Sequence, residues 1–155
     1  MTRIPSFSID HTRLEPGLYL SREDGDVRTW DVRMKKPNQG DYISQGAIHT
    51  IEHLFATCAR NGAYKDGIIY IGPMGCRTGM YLLTRGLSDG QVLDCVRECY
   101  AFMSQYEGEI PGAKEAECGN YREHDLLGCR GEAAAYLAVL NRIGVADMRY
   151  KYYLD

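Results

Sequence analysis

Residues 47–54 read Ala-Ile-His-Thr-Ile-Glu-His-Leu, and two of the chain's four histidines, His49 and His53, stand in that stretch. On a helix, positions four apart lie on one face, one above the other. Two imidazoles so placed reach a single metal ion, and Glu52 lies a turn from His49, beside them. This is the inverted metalloenzyme pattern His-x-x-Glu-His. Ile48, Ile51, Phe55 and Ala59 recur at helical spacing and Asn61-Gly62 offers a stop, so the stretch predicts a helix from about Ser44 to Asn61. The plain alternative is a surface helix carrying two unrelated histidines. So short a pattern arises by chance, and the rest of the chain has to supply a third ligand.

A catalytic metal site has three protein ligands and one open position. Beyond His49 and His53 the candidates are Cys118, Cys76, His11, His124 and several carboxylates. Cys118 stands in Ala116-Glu117-Cys118-Gly119, a polar stretch where nothing marks the thiol as core filler, and is the favoured third ligand. Cys58, Cys95, Cys99 and Cys129 fall inside helical patterns and read as core residues. Cys95 and Cys99 share ligand-like spacing, but no neighbouring His or Asp would complete a site.

Cys76 differs from these. Gly72, Pro73, Gly75 and Gly79 frame it, a backbone suited to a tight turn between two strands and to close approach of a ligand. Arg77 follows directly and is the candidate to favour its thiolate. Its alternative is a thiol buried in a bulge. His11 beside Asp10, and Arg33 beside Asp31, have plain readings as a hydrogen-bonding histidine and an ion pair.

A chain of 155 residues has the size of one compact domain, here 1–155. With net charge −3 and no basic run, nucleic acid is not an expected partner. No stretch reaches the ~20 apolar residues of a membrane span. The N-terminal residues lack the apolar run of a signal peptide, so the expected location is cytoplasmic and the six thiols reduced.

Gly17–Leu20 and Val27–Arg33 read as strands joined at Asp24-Gly25-Asp26, with Trp30 and Val32 facing one way and Asp31 and Arg33 the other. Gly67–Ile71 and Met80–Thr84 read as a second pair. Helices are predicted over about 88–106 and 120–143. This order predicts an α/β (α+β) fold, an antiparallel sheet packed against helices.

With these pieces in place the chain resembles the S-ribosylhomocysteine lyase family, which makes the autoinducer-2 precursor of bacterial quorum sensing. The resemblance rests on five blocks in order. They are Ser6-Phe7 with Asp10-His11; Trp30-Asp31-Val32-Arg33; Ile48 to His53; Pro73 to Gly79; and Glu117-Cys118-Gly119 with His124-Asp125-Leu126. The resemblance implies a homodimer with active sites at the subunit interface. It implies that His49, His53 and Cys118 bind one divalent metal, Fe(II) in native enzymes and often Zn or Co in purified ones. Cys76 and Glu52 take the acid/base roles, and Ser6, His11 and Arg33 shape the ribose pocket. The reaction cleaves S-ribosylhomocysteine to homocysteine and 4,5-dihydroxy-2,3-pentanedione, by carbonyl migration and β-elimination, within the methyl cycle.

One departure stands out. The family reads Asp-x-Ser-Pro-Met-Gly-Cys before the catalytic thiol, whereas this chain has Tyr70-Ile71-Gly72-Pro73-Met74-Gly75-Cys76. In the family those positions lie near the amino-acid tail of the substrate, so the resemblance implies a change in recognition of that tail and none in the metal ligands. Two rival readings share the helix. A metallopeptidase would use Glu52 to activate water but has no need of a glycine-framed thiol. A structural metal site would want a fourth strong ligand.

Overall fold

The computed structural model describes all 155 residues. Four strands, β1 (Gly17–Asp24), β2 (Val27–Arg33), β3 (Ile68–Pro73) and β4 (Gly79–Arg85), form one antiparallel sheet in the order β1-β2-β4-β3. Gly25 takes a left-handed φ of 61°, closing the β1–β2 hairpin at the expected turn. β2 alternates as its sequence requires. Trp30 and Val32 are fully buried in the core, while Asp31 and Arg33 face the other side of the sheet. The buried indole N–H of Trp30 donates to Thr84 Oγ1 on β4 at 3.0 Å, so its burial leaves no donor unpaired.

Three helices, α1 (Gln45–Asn61), α2 (Asp89–Gln105) and α3 (Leu126–Leu140), pack with the sheet around one apolar cluster of 27 buried residues. The sheet contributes Leu18, Trp30, Val32, Met80 and Leu82, and α1 contributes Ile51, Leu54 and Phe55. Ser88 and Gln91 form a reciprocal capping box at the start of α2. Tyr136 on α3 donates its hydroxyl to the Gly17 carbonyl at 2.7 Å, tying helix layer to sheet. The fold is the expected α+β arrangement. No helix is long and apolar enough to cross a membrane.

The face of the sheet bearing Asp31 and Arg33 is met by both chain termini. Ile9 pairs with Tyr153 in a short antiparallel bridge, and Leu154 N–H donates to the Ser8 carbonyl at 2.8 Å. Ile9 is buried, whereas Ile4 and Phe7 remain 50% and 65% exposed.

The last helix begins later than its apolar spacing predicts, at Leu126 rather than about 120. Asp125 is its cap, accepting from Gly128 N–H at 2.8 Å. The Asp125 N–H itself reaches Gly46 O at 3.2 Å and Thr50 Oγ1 at 3.0 Å, which docks the preceding turns on the first turn of α1. That docking places the segment 118–125 beside His49.

Candidate metal centre and active site

Ser44 caps α1 by accepting from Ala47 N–H at 3.2 Å, and the helix then runs unbroken through His49 and His53. Their rings meet edge to face, with centroids 4.8 Å apart and planes at 81°. Each Nδ1 is tied to a backbone carbonyl, His49 to Glu123 at 2.8 Å and His53 to Pro111 at 2.9 Å. A carbonyl only accepts, so each Nδ1 carries the proton and each Nε2 presents a lone pair. Cys118 Sγ stands 3.3 Å from Nε2 of His49 and 3.8 Å from Nε2 of His53.

These three donors fit a metal ion. Bonds of about 2.0–2.3 Å to a tetrahedral ion set N and S donors about 3.5 Å apart, which matches both separations. The carbonyls of Glu123 and Pro111 fix the tautomer of each ring, the role outer partners play for histidines that bind a metal. Gly112, at a left-handed φ of 71°, lets the 110–118 loop pass close to His53, since a Cβ there would sit 3.3 Å from His53 Nδ1. His124 joins the group, and one nitrogen of its ring and the donor atoms of the other three all lie within 4.8 Å of one another. Its ring stacks on His49 at 3.9 Å, and its Nε2 is buried without a hydrogen-bond partner. Burial, together with His49 and His53, lowers the pKa of His124 to about 4.

Glu52 lies on the same helix and lines a cavity with His53, Thr57, Arg60, Tyr70 and Pro111. The departure at residues 70 and 72 has a structural reason. The Tyr70 ring lies over Gly72, where a Cβ would come within 2.6 Å of it, so the bulky residue and the glycine occur together.

The second group of predicted residues gathers on the opposite face of the sheet. Ser6, His11 and Arg33 line one small cavity with Asp31, Tyr81 and Tyr150. His11 Nδ1 donates to the Ile9 carbonyl at 2.8 Å, leaving its Nε2 free. Arg33 is buried and forked onto Asp31, at 3.0 and 2.8 Å. Its remaining nitrogen donates to Thr78 Oγ1 at 2.8 Å and lies 4.0 Å from Cys76 Sγ. Cys76 is exposed, with Thr78 Oγ1 3.1 Å from its sulfur. The cation beside the thiol is therefore Arg33, where the sequence pointed to Arg77. Arg77 takes a φ of 58° in the turn and donates to the Ile43 carbonyl. Tyr81 and Tyr150 had no sequence signal, and Thr78 had only its place in the Pro73 to Gly79 block, because they meet Arg33 only through strand pairing and the returning C-terminus. Cys95, Cys99 and Cys129 are buried as expected, and Cys58 is half-buried.

The family model described as S-ribosylhomocysteinase (LuxS) matches residues 4–145. The chain belongs to the S-ribosylhomocysteinase (LuxS) family. The S-ribosylhomocysteine lyase of Phocaeicola vulgatus is 50% identical, over 88% of this chain and 89% of its own length. The S-ribosylhomocysteine lyases of Borreliella burgdorferi and Clostridium acetobutylicum are 43% and 40% identical, each over 97% of this chain and 99% of its own. The family assignment agrees with the five sequence blocks, all of which the fold places in one or other of the two groups above or in the segments that support them.

Proposed function

We propose that this chain is a metal-dependent carbon–sulfur lyase. It cleaves S-ribosylhomocysteine to homocysteine and 4,5-dihydroxy-2,3-pentanedione, the autoinducer-2 precursor. The observation that carries the reading is the convergence of His49 Nε2, His53 Nε2 and Cys118 Sγ, with both imidazole protons held outward by carbonyls. Those three residues hold the ion, with Fe(II) as the native metal and Zn or Co as substitutes. Two neutral imidazoles and one thiolate leave a net charge of about +1 on a divalent ion, suited to either Fe(II) or Zn. A divalent ion bound there supplies Lewis-acid polarisation of the sugar's carbonyl.

The chain's own residues move the protons. Shifting a carbonyl along the ribose removes a proton from one carbon and returns one to its neighbour, and elimination then expels the thiol. That calls for acid/base groups on either side of the sugar. Glu52 stands beside the metal ligands in the larger cavity, and Cys76 stands beside Arg33 and Thr78. Each contributes about 10²–10⁴-fold. Ser6, His11 and Arg33 offer a hydroxyl, an imidazole nitrogen and a cation to the ribose.

The two groups sit apart within one chain. No residue lines both the Glu52–His53 cavity and the Ser6–His11–Arg33 cavity. A homodimer that sets the Cys76 group of one copy against the metal group of the other completes the site. The exposed Ile4 and Phe7 of the arm support that pairing. The expected setting is cytoplasmic, in disposal of a methyl-cycle product. The test is free-thiol release from S-ribosylhomocysteine by anaerobically metallated protein. Release that vanishes on chelation and returns with Fe(II) or Co(II) supports the reading. A loaded protein that releases no thiol overturns it.

A further inference from the structure

His124 belongs to the cluster but has no part in the mechanism above. Its Nδ1 lies 3.0 Å from Thr50 Oγ1, and that hydroxyl is also 3.0 Å from the Gly46 carbonyl one turn back along α1. A helical threonine donates its hydroxyl to the carbonyl four residues before it, so the His124 Nδ1–H donates to Thr50. This repeats the pattern of His49 and His53, with the proton pinned outward and the Nε2 lone pair open. The Nε2 of His124 is buried and has no partner. Its other nitrogen being committed to Thr50, Nε2 is the one available to the centre.

The ring is not placed as a fourth ligand. Two imidazoles bound to one tetrahedral ion hold their ring centroids about 5 Å apart, as His49 and His53 do at 4.8 Å. His124 also meets His53 edge to face, at 4.8 Å and 80°, but it stacks nearly parallel on His49, at 21° and 3.9 Å, too close for both rings to bind one ion. A neutral imidazole whose N–H is committed can only accept. What complements it is an O–H group, and the proposed substrate is a polyhydroxylated sugar.

We propose that His124 Nε2 accepts a hydrogen bond from a sugar hydroxyl of the substrate, making His124 a further substrate-contacting residue. The inference rests on the lyase reading and adds a specificity element to it. A buried acceptor left unpaired is costly, so a substrate that supplies that hydroxyl relieves the cost and binds more tightly than one that lacks it.

The test uses the alditol obtained by reducing the substrate's aldehyde, which cannot enolise, and reads its affinity for zinc-loaded protein by calorimetry. His124→Phe keeps a ring to stack on His49 but has no nitrogen. It should retain its zinc and bind the alditol about tenfold more weakly than wild type. A second pair keeps the site polar. His124→Gln sets its amide near the place of Nε2 and should bind better than His124→Asn, whose amide replaces only Nδ1. Equal alditol affinity in wild type and His124→Phe, or in the Gln and Asn variants, overturns the proposal. So does a change in the visible spectrum of Co(II)-loaded His124→Phe before alditol is added, which would put Nε2 on the ion. Failure of the lyase reading shows separately, as wild-type protein that releases no thiol from S-ribosylhomocysteine.

Discussion

Arg33 holds Asp31 with two nitrogens and reaches toward Cys76 with the third, 4.0 Å from its sulfur. One buried guanidinium thereby links the sheet interior to an exposed thiol. Tyr150 donates to the same Asp31 at 2.6 Å, so the pair is hydrogen-bonded on both sides. Replacing Arg33 with Met leaves Asp31 buried without its counter-charge. Losing one partner of a buried pair costs about 3–5 kcal/mol. Urea unfolding of Arg33→Met should show a lower midpoint at unchanged slope, with midpoint and slope together giving a stability loss of that size, and loss of thiol release. An unchanged midpoint would mean that the pair is not what holds this face together.

Gly112 is predicted to control metal affinity without touching the metal. A Cβ at that position would crowd His53 Nδ1 from 3.3 Å, in a backbone conformation that L-residues rarely adopt. Disturbing the outer partner of a metal-binding histidine typically weakens binding 10–100-fold. Chelator competition on Gly112→Ala should show a loss in that range, with the fold retained by circular dichroism. Wild-type affinity would remove Pro111 from the account of how His53 is held.

The thiols divide by function. Cys118→Ala should lose most of its metal, because it removes the only anionic donor of the three. Cys95→Ala and Cys99→Ala should keep theirs, because both thiols are buried in the core away from the centre. Metal analysis of the three variants after dialysis decides this. Full occupancy in Cys118→Ala would redraw the site.

The metal-free protein should lose stability as acid is added. The folded-state pKa of His124, lowered to about 4 by burial and by His49 and His53, lies below the 6.5 of a free imidazole. Between those values the unfolded chain binds more protons, so stability falls as pH drops from 6.5 toward 4. Unfolding of metal-free wild type and His124→Phe at pH 7 and pH 5 checks this. The variant should lose less over that interval, and an equal loss in both would assign the effect to other groups.

The metal helix was legible because two signals coincide there. Ile48, Ile51 and Phe55 fix one face, and His49 and His53 share the spacing of a ligand pair. The start of α3 was misplaced because apolar spacing does not reveal a cap. The cue was Asp125 three residues before Gly128. The partner of Cys76 was beyond reach of local reading. Arg33 and Gly79 are 46 positions apart in the chain but face one another in the β2–β4 register. Gly79 has no side chain to hold β4 away from Val32, and that approach brings Thr78 and Cys76 to Arg33. The residue adjacent in sequence, Arg77, turns to Ile43 instead. The gap between the two residue groups was likewise invisible in the sequence, because nothing local shows that α1 and the face bearing Asp31 and Arg33 lie on opposite sides of the sheet.

Cys76 and Glu52 are outside the ligand set. Cys76→Ala and Glu52→Gln should both keep the metal and the fold and both lose thiol release by several orders of magnitude. They need not fail at the same step. Proton exchange at the substrate carbons without thiol release would mark a block after the first enolisation. Near-normal turnover in Cys76→Ala would reduce that thiol to packing.

The central claim is that two incomplete groups on one chain complete each other across two copies in a thiol-releasing lyase. Co-refolding equal amounts of Cys76→Ala and Cys118→Ala tests it directly. Each parent alone lacks one half of every site. In a mixed dimer one site pairs the intact metal group of the first chain with the intact Cys76 of the second. Random pairing makes half the dimers mixed, each with one of two sites intact, so the mixture should recover about a quarter of wild-type thiol release. A mixture as inactive as its parents, beside an active wild-type control, would contradict the account.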